Sequence, residues 1–225
     1  MIYLSDQRGI SRSPRHESLH SFDFGSYKKK YHHSFKSLSV FNEDTLNPQS
    51  TLTYSVPPNH VMFVLPLVGG IKFNVNQSES SQFIEAGQSL AITVAKTSIV
   101  MIANPYHSGP VNFISCWFSN CEARGNDVKV SSFYLEDLEN ALTKIFSNEM
   151  ATAHLGRFTG RGNFNLKLQR GRTSLFVFVV EGAFEVEKRL LQPKDGLSIE
   201  NVTEVEFEAL SNGAIILIFE LVDRS

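Results

Sequence analysis

The chain has few of the residues that signal a disulfide framework or a membrane span. It contains two cysteines and one tryptophan, and its longest apolar run, residues 61–68, is far shorter than the roughly 18–20 residues that span a bilayer. The first ten residues, MIYLSDQRGI, lack the apolar stretch of a secretory signal. We therefore expect a soluble cytoplasmic protein that neither crosses nor anchors to a membrane.

The two cysteines, Cys116 and Cys121, lie five positions apart in CWFSNC. On a strand this spacing separates them by about 16 Å and places them on opposite faces. A disulfide needs Cα atoms within about 7 Å, and a zinc site would need further Cys or His partners. The sequence predicts two unlinked thiols, with Cys121 the more exposed.

The net charge is also small, because 21 basic residues nearly balance 23 acidic ones. A net charge of −2 does not favour a polyanionic partner, and no recognised nucleic-acid-binding module is present. The sequence contains no Gly-x-Ser-x-Gly stretch and no other nucleophile motif. These absences predict a protein without direct nucleic-acid contact and without catalytic residues of the hydrolase type.

What the chain does contain is alternation of apolar and polar residues. Phe164, Leu166 and Leu168 alternate with polar residues in NFNLKLQ, and Val205 and Phe207 do so in TEVEFEA. A period of two over such lengths predicts half-buried antiparallel strands.

One segment near the midpoint breaks this alternation. Its apolar residues fall on one helical stripe, with Ser131 or Ser132 as the N-cap and acidic residues in the first turn. The sequence predicts a short amphipathic helix that connects two β units. The stripe consists of Leu135, Leu138, Leu142, Ile145 and Phe146.

An internal repeat supports two units. VLPLVGGIKF at 64–73 matches VFVVEGAFEV at 177–186, with Gly69 over Gly182, and FIEAGQSLAI at 83–92 matches LLQPKDGLSI at 190–199. Two copies of this pattern about 110 residues apart indicate a duplicated β-barrel. The predicted division is an N-terminal barrel with its arm over 1–122, a linker with the helix over 123–150, and a C-terminal barrel over 151–225.

Residues 15–48 read RHESLHSFDFGSYKKKYHHSFKSLSVFNEDTLNP. This stretch resembles the N-terminal signature of the pirin-related bicupins of the cupin superfamily. Their signature reads approximately His-x-Phe-Ser-Phe-x-x-Tyr, then Leu-Arg-Val-x-Asn-Glu-Asp, and the stretches LVGGIKF and IEAGQSLAI and the Trp of VNFISCWF continue the resemblance in order. It implies an all-β protein of two antiparallel cupin (jelly-roll) barrels packed face to face, the N-terminal one normally holding the active site. The matching residues are His20, Phe22, Phe24, Tyr27, Leu38, Val40, Asn42, Glu43 and Asp44.

The resemblance also implies a metal, usually iron, held by His-x-His on one strand and His-x-Glu on a later one. Counted from the same stretches, these ligands fall on Ser55, Pro57, Val100 and Ile102, which are poor ligands or hydrocarbon. His60 is the only histidine between His33 and His107, and His154 is the only one after His107. We therefore expect no metal and no other cofactor.

The sequence predicts a bicupin that has lost its metal site and serves as a non-catalytic binding module. Its partner would be a small apolar or aromatic molecule, or another protein, and the chain is expected to be a monomer. The alternatives are a quercetinase-type dioxygenase that uses displaced ligands and a transcription-associated interaction protein. The residues expected to line the ligand pocket are Tyr54, Ser55, Pro57, His60, Val100 and Ile102.

Overall fold

A computed structural model describes residues 1–28, 32–78, 81–119, 121–168 and 173–222 of the chain. Two short 3-10 helices, Ser5–Gln7 and Leu135–Leu138, accompany the strands. In chain order the strands are β1 (Ile2–Tyr3), β2 (Gly9–Arg12), β3 (His16–His20), β4 (Leu38–Leu46), β5 (Thr51–Val56), β6 (His60–Val68), β7 (Gly70–Val75), β8 (Gln82–Glu85), β9 (Gln88–Val94), β10 (Ser98–Ala103), β11 (Val111–Ser119), β12 (Asp127–Ser132), β13 (Thr143–Ser147), β14 (Ala151–Phe158), β15 (Asn163–Lys167), β16 (Thr173–Glu181), β17 (Phe184–Val186), β18 (Arg189–Leu191), β19 (Gly196–Val202), β20 (Glu204–Ala209) and β21 (Ala214–Leu221).

The strands form two compact units, and the predicted all-β fold with two barrels is confirmed. One unit comprises residues 9–34 and 38–132, and the other comprises residues 1–8, 35–37 and 133–225. The predicted bounds therefore differ from this division, because the first eight residues belong with the C-terminal part of the chain.

The N-terminal barrel consists of two antiparallel sheets. A seven-stranded sheet has the order β12-β9-β6-β11-β4-β3-β2, and a four-stranded sheet has the order β5-β10-β7-β8. Side chains from the inner faces of both sheets form one apolar core, because alternate residues of each strand point inward. The core includes Val64, Phe73, Val100, Phe113 and Trp117.

The C-terminal barrel repeats this arrangement. Its sheets have the orders β1-β19-β16-β21-β14-β13 and β15-β20-β17-β18, and its apolar core lies between them. The internal repeat corresponds to β6–β9 in one barrel and β16–β19 in the other. Gly69 and Gly182 both turn with a φ of +73°, a conformation that side-chain-bearing residues seldom adopt.

The predicted connecting helix is wrong. Ser131 and Ser132 lie in β12, and the helical part of the segment is limited to the four residues Leu135–Leu138. Asn140 has a φ of +53°, which no α-helix can continue through. The following residues form β13, an antiparallel neighbour of β14.

A register irregularity in β13 explains the misleading pattern. The pairing of β13 with β14 shifts between Lys144 and Phe146, and Ile145 and Phe146 are both buried. Two consecutive buried residues break the period of two that marks a strand. Together with Leu138 and Leu142 they imitate the spacing of a helical stripe.

None of the helices in the described segments has the length and apolar character that crossing a bilayer requires.

Candidate functional site

The N-terminal barrel contains a cleft of about 520 Å³ beside β5, which is an edge strand of the four-stranded sheet. Its walls come from β2, β3, β5, β11 and the segment that follows β3. The lining residues are Ser11, His16, Ser18, His20, Asp23, Phe24, Gly25, Lys28, Leu52, Thr53, Tyr54, Ser55 and Trp117.

Three aromatic rings line the cleft. The rings of Phe24 and Trp117 lie edge to face, with centroids 5.7 Å apart and planes at 84°. Tyr54 meets Trp117 in the same way, at 6.0 Å and 78°. Edge-to-face pairs hold each other's orientation and leave ring surface that another aromatic group can contact. With Leu52, these rings give the cleft its apolar part.

A buried polar cluster lies beside this aromatic group. Asp44 of β4 is fully buried and accepts hydrogen bonds from the hydroxyl groups of Ser18, Tyr54 and Ser115. The Tyr54 hydroxyl lies 2.6 Å from Asp44 Oδ2, and Ser115 Oγ lies 2.7 Å from the same oxygen. Three donors satisfy a carboxylate that water cannot reach, which offsets part of the cost of burying it.

Burial controls the ionisation of this cluster. It raises the pKa of the Asp44 carboxyl above its ordinary value of 3.8, although the three hydroxyl donors and nearby His20 act in the opposite direction. Burial and the negative charge of Asp44 also raise the pKa of Tyr54 well above its ordinary value. Tyr54 is therefore a phenol at neutral pH and donates its proton to Asp44.

His20 extends the cluster toward the opening of the cleft. It is fully buried, with Nδ1 2.9 Å from Asn42 Oδ1 and Nε2 2.8 Å from Ser11 Oγ. An amide oxygen can only accept, so Nδ1 donates to Asn42, and Nε2 shares a hydrogen bond with the Ser11 hydroxyl. The His20 ring also contacts Phe24, with centroids 5.0 Å apart.

Comparisons with known proteins agree with this architecture. A family model described as the quercetinase C-terminal cupin domain matches residues 142–221. A protein of Pasteurella multocida (strain Pm70) named "Putative quercetin 2,3-dioxygenase PM1685" is 25% identical over 236 residues, covering 98% of this chain and 99% of the relative.

Solved structures show the same fold over the full length. The bacterial pirin YhhW of Escherichia coli, in complex with nickel(II), matches with a TM-score of 0.81 and 16% identity over 100% of this chain and 99% of that one. The protein YhaK of Escherichia coli matches with a TM-score of 0.73 and 17% identity, over 96% and 94% of the two chains. The chain is therefore similar to the pirin-related cupin proteins.

Two of the six residues predicted to bind a ligand line the cleft. Tyr54 is buried and faces the interior, whereas its neighbour Ser55 is exposed on the rim. Val100 and Ile102 lie in the hydrophobic core, and in the pairing of β10 with β5 they are opposite Tyr54 and Leu52. They form the wall behind the cleft rather than its surface.

The other two predicted residues lie outside the lining. Pro57 follows the end of β5 and is half-buried. His60 begins β6, and its Nδ1 lies 2.8 Å from the backbone oxygen of Pro58. The ring of His60 thus caps the turn between the two strands.

The donor set at the family's metal position does not fit iron or nickel. The ligand pairs lie on two strands, and the inward residues there are Tyr54 and Val56 on β5 and Val100 and Ile102 on β10. If the predicted ligand positions on β5 are moved by one residue, from Ser55 to Tyr54, the inward-facing residues still include no histidine or carboxylate. Within the described segments, no three His, Cys, Asp or Glu side chains form a group that could hold a metal ion.

The C-terminal barrel offers a single histidine with one carboxylate. His154 Nε2 lies 2.7 Å from Glu220 Oε1, and both side chains are mostly buried. Two protein donors are fewer than transition-metal sites in proteins ordinarily use.

Sequence reasoning missed the residues that give the cleft its character. Trp117, His20 and Asp44 were noted only as parts of the family resemblance. A signal was available in β4, where Asn42 and Asp44 share the inward register of Val40 and Leu46. Polar residues in an inward register indicate either a site or a buried network, and here they form the network beside the cleft.

Proposed function

We propose that the N-terminal barrel binds a small planar aromatic molecule in the cleft, without a metal and without catalysing its conversion. The observation that carries this proposal is the set of rings of Phe24, Tyr54 and Trp117 around a cavity of about 520 Å³. Ligand sites are typically concave and largely apolar, with a few placed polar groups. The buried cluster of Asp44 and His20 supplies such polar groups.

The absence of turnover follows from the donor set and not from the fold. Iron in a dioxygenase needs imidazole and carboxylate ligands with open positions. Here Val56, Val100 and Ile102 occupy inward positions on the relevant strands. The second candidate, a quercetinase-type dioxygenase, is supported by the name of the Pasteurella multocida relative. It would require ligands from elsewhere in the chain.

Trp117 provides the test, because it is the only tryptophan in the chain and lines the cleft. Quercetin should quench its fluorescence saturably, with an affinity in the micromolar range that is usual for modest apolar sites, on the order of −8 kcal/mol. Oxygen uptake with quercetin should equal that of buffer, with or without added Fe²⁺ or Ni²⁺.

A matched pair of variants locates the binding. Leu52→Arg places a charge in the cleft and should abolish quenching, whereas Leu190→Arg, at an exposed residue of β18, should leave it unchanged. Metal-dependent oxygen uptake would favour the dioxygenase. Linear, unsaturable quenching that Leu52→Arg does not alter would refute binding in the cleft.

A further inference from the structure

The hydrogen-bond network under the cleft restricts what its inner end can offer a ligand. Ser18 and Tyr54 both line the cleft, and each hydroxyl donates to Asp44. A hydroxyl group has one proton and two lone pairs. With that proton committed to a buried carboxylate, each oxygen can only accept a hydrogen bond from a ligand.

Ser11 is also a lining residue, and its Oγ lies 2.8 Å from His20 Nε2. The direction of this hydrogen bond is set by the protonation of the His20 ring, so the polarity of the inner end rests on Ser18 and Tyr54.

The rim of the cleft contains hydrogen-bond donors. Lys28, Thr53 and Ser55 line it and are exposed, while Ser18 and Tyr54 are 5% and 4% exposed. An ammonium group and two exposed hydroxyls can donate to a ligand or to water, and the Asp23 carboxylate, 2.9 Å from His33 Nδ1, is an acceptor beside them. The rim therefore offers both kinds of group, whereas the committed hydroxyls of Ser18 and Tyr54 offer only acceptors.

We propose that the inner end of the cleft selects aromatic molecules by their hydrogen-bond donors, and that Asp44 imposes this selection through Ser18 and Tyr54. This inference rests on the proposed function, since it requires that an aromatic molecule enters the cleft. The preferred class carries aromatic hydroxyl or amino groups at its buried end. Aromatic ethers and carboxylates of the same size are excluded from that end.

The exclusion has a physical cause. An ether or carboxylate oxygen at the inner end would face lone pairs, so that both partners lose hydrogen bonds to water and gain none. The negative charge of buried Asp44 adds a further penalty for an anionic ligand. Sites that hydrogen-bond one group discriminate strongly against analogues that lack it, because their own polar groups are left unpaired.

The experiment compares three naphthalene probes by Trp117 fluorescence and calorimetry: naphthalene-2,3-diol, 2,3-dimethoxynaphthalene and 2-naphthoate. The native chain should bind the diol at least about tenfold more tightly than either other probe, which is the effect of one to two hydrogen bonds. Asp44→Asn places an amide donor against the hydroxyls, so one of them can turn its proton to the cleft. The preference for the diol should then fall to about threefold or less.

Controls separate the possible outcomes. Asp127→Asn, at an exposed residue of β12, should keep the native preference. If Asp44→Asn does not fold, Ser18→Ala removes one acceptor and should weaken binding of the diol while leaving the ether unchanged. Equal binding of diol and ether by the native chain, or an unchanged preference in Asp44→Asn or Ser18→Ala, would overturn the inference. Failure of all three probes to bind would instead reject the proposed function.

Discussion

The hydroxyl of Tyr54 donates a hydrogen bond to Asp44 Oδ2 across 2.6 Å, and this bond joins the two sheets of the N-terminal barrel. Tyr54 belongs to β5 of the four-stranded sheet and Asp44 to β4 of the seven-stranded sheet. Most contacts across the barrel interior are apolar and do not depend on direction. This polar contact does, so it fixes the position of the edge strand β5 beside the cleft.

Tyr54→Phe should therefore destabilise the N-terminal barrel. The change keeps the ring but leaves Asp44 with two hydroxyl donors instead of three, which costs about 1–3 kcal/mol for a buried charged acceptor. Urea unfolding followed by Trp117 fluorescence reports on this barrel, because the only tryptophan lies there. Tyr134→Phe, at a side chain that is 75% exposed, should change the free energy of unfolding by less than about 0.5 kcal/mol. Equal effects of both substitutions would contradict the role of the hydroxyl.

The Asp44 carboxyl should make stability depend on pH with a defined sign. Burial raises its pKa in the folded chain above the ordinary value of 3.8. Between the unfolded and folded pKa values the folded chain binds more protons, so the free energy of unfolding falls as pH rises through that window. Asp44→Asn lacks this contribution. The stability of the native chain minus that of Asp44→Asn should therefore decrease as pH rises from about 4 and then level off above the folded pKa. A difference that increases with pH would mean that the folded pKa is lowered.

The sequence predicts two all-β units because strand alternation and an internal repeat can be recognised along the chain, although the helix predicted between the units is wrong. Contacts between strands that are distant in the sequence cannot be recognised in this way. Ser55 and Pro57 are identified as ligand positions by counting back from LVGGIKF through the turn after β5. Asn59 in this turn has a φ of +57°, and periodicity does not fix the number of residues in a turn. The side chains that meet at Asp44 come from β3, β5 and β11. Only the pairing of distant strands brings them together.

The two cysteines should remain unlinked and protected in the folded chain. Cys116 lies in β11 and is fully buried, and the two cysteines are not joined by a disulfide. Cys121 is the more exposed of the two, as predicted, but at 5% it is buried as well, and its backbone N–H donates to the backbone oxygen of Asn59. Iodoacetamide should therefore label neither thiol until urea unfolds the protein, and reduction should leave the intact mass unchanged. A gain of about two daltons on reduction, without loss of a dimer, would reveal a disulfide that the strand geometry excludes.

Tyr3 should stabilise the C-terminal barrel although it is near the start of the chain. It pairs with Gly196 through β1 and β19, is 4% exposed, and contacts the Phe176 ring edge to face at 5.7 Å. Tyr3→Ala removes a large buried aromatic side chain, which costs about 3 kcal/mol or more. Hydrogen exchange should accelerate in β16 and β19, while Leu4→Ala, at a residue that is 40% exposed, should leave their protection unchanged. Undisturbed exchange in Tyr3→Ala would place this segment outside the barrel.

Metal ligands introduced by mutation should show which residues of β5 face the barrel interior. One variant carries the ligands at the positions predicted from the sequence: Ser55→His, Pro57→His, Val100→His, Ile102→Glu. In the structure, however, Ser55 is exposed and Pro57 lies beyond the strand. We expect this variant to bind no nickel. Tyr54→His, Val56→His, Val100→His, Ile102→Glu places the β5 histidines on the inward face. We expect it to retain nickel through desalting, because imidazole and carboxylate donors suit this ion.

The pairing of the strands supports this difference. Tyr54 and Val100 are direct partners across β5 and β10, so the Cβ atoms of histidines at these positions would lie about 4.5–5.5 Å apart, close enough for both rings to reach one ion. The exchange of Tyr54 removes the donor to Asp44, so circular dichroism must first show that the variant is folded. Nickel bound by the variant with Ser55→His and not by the one with Tyr54→His would mean that β5 presents the opposite face to the interior. Both the cleft and the hydrogen bond from Tyr54 to Asp44 would then have to be reassigned.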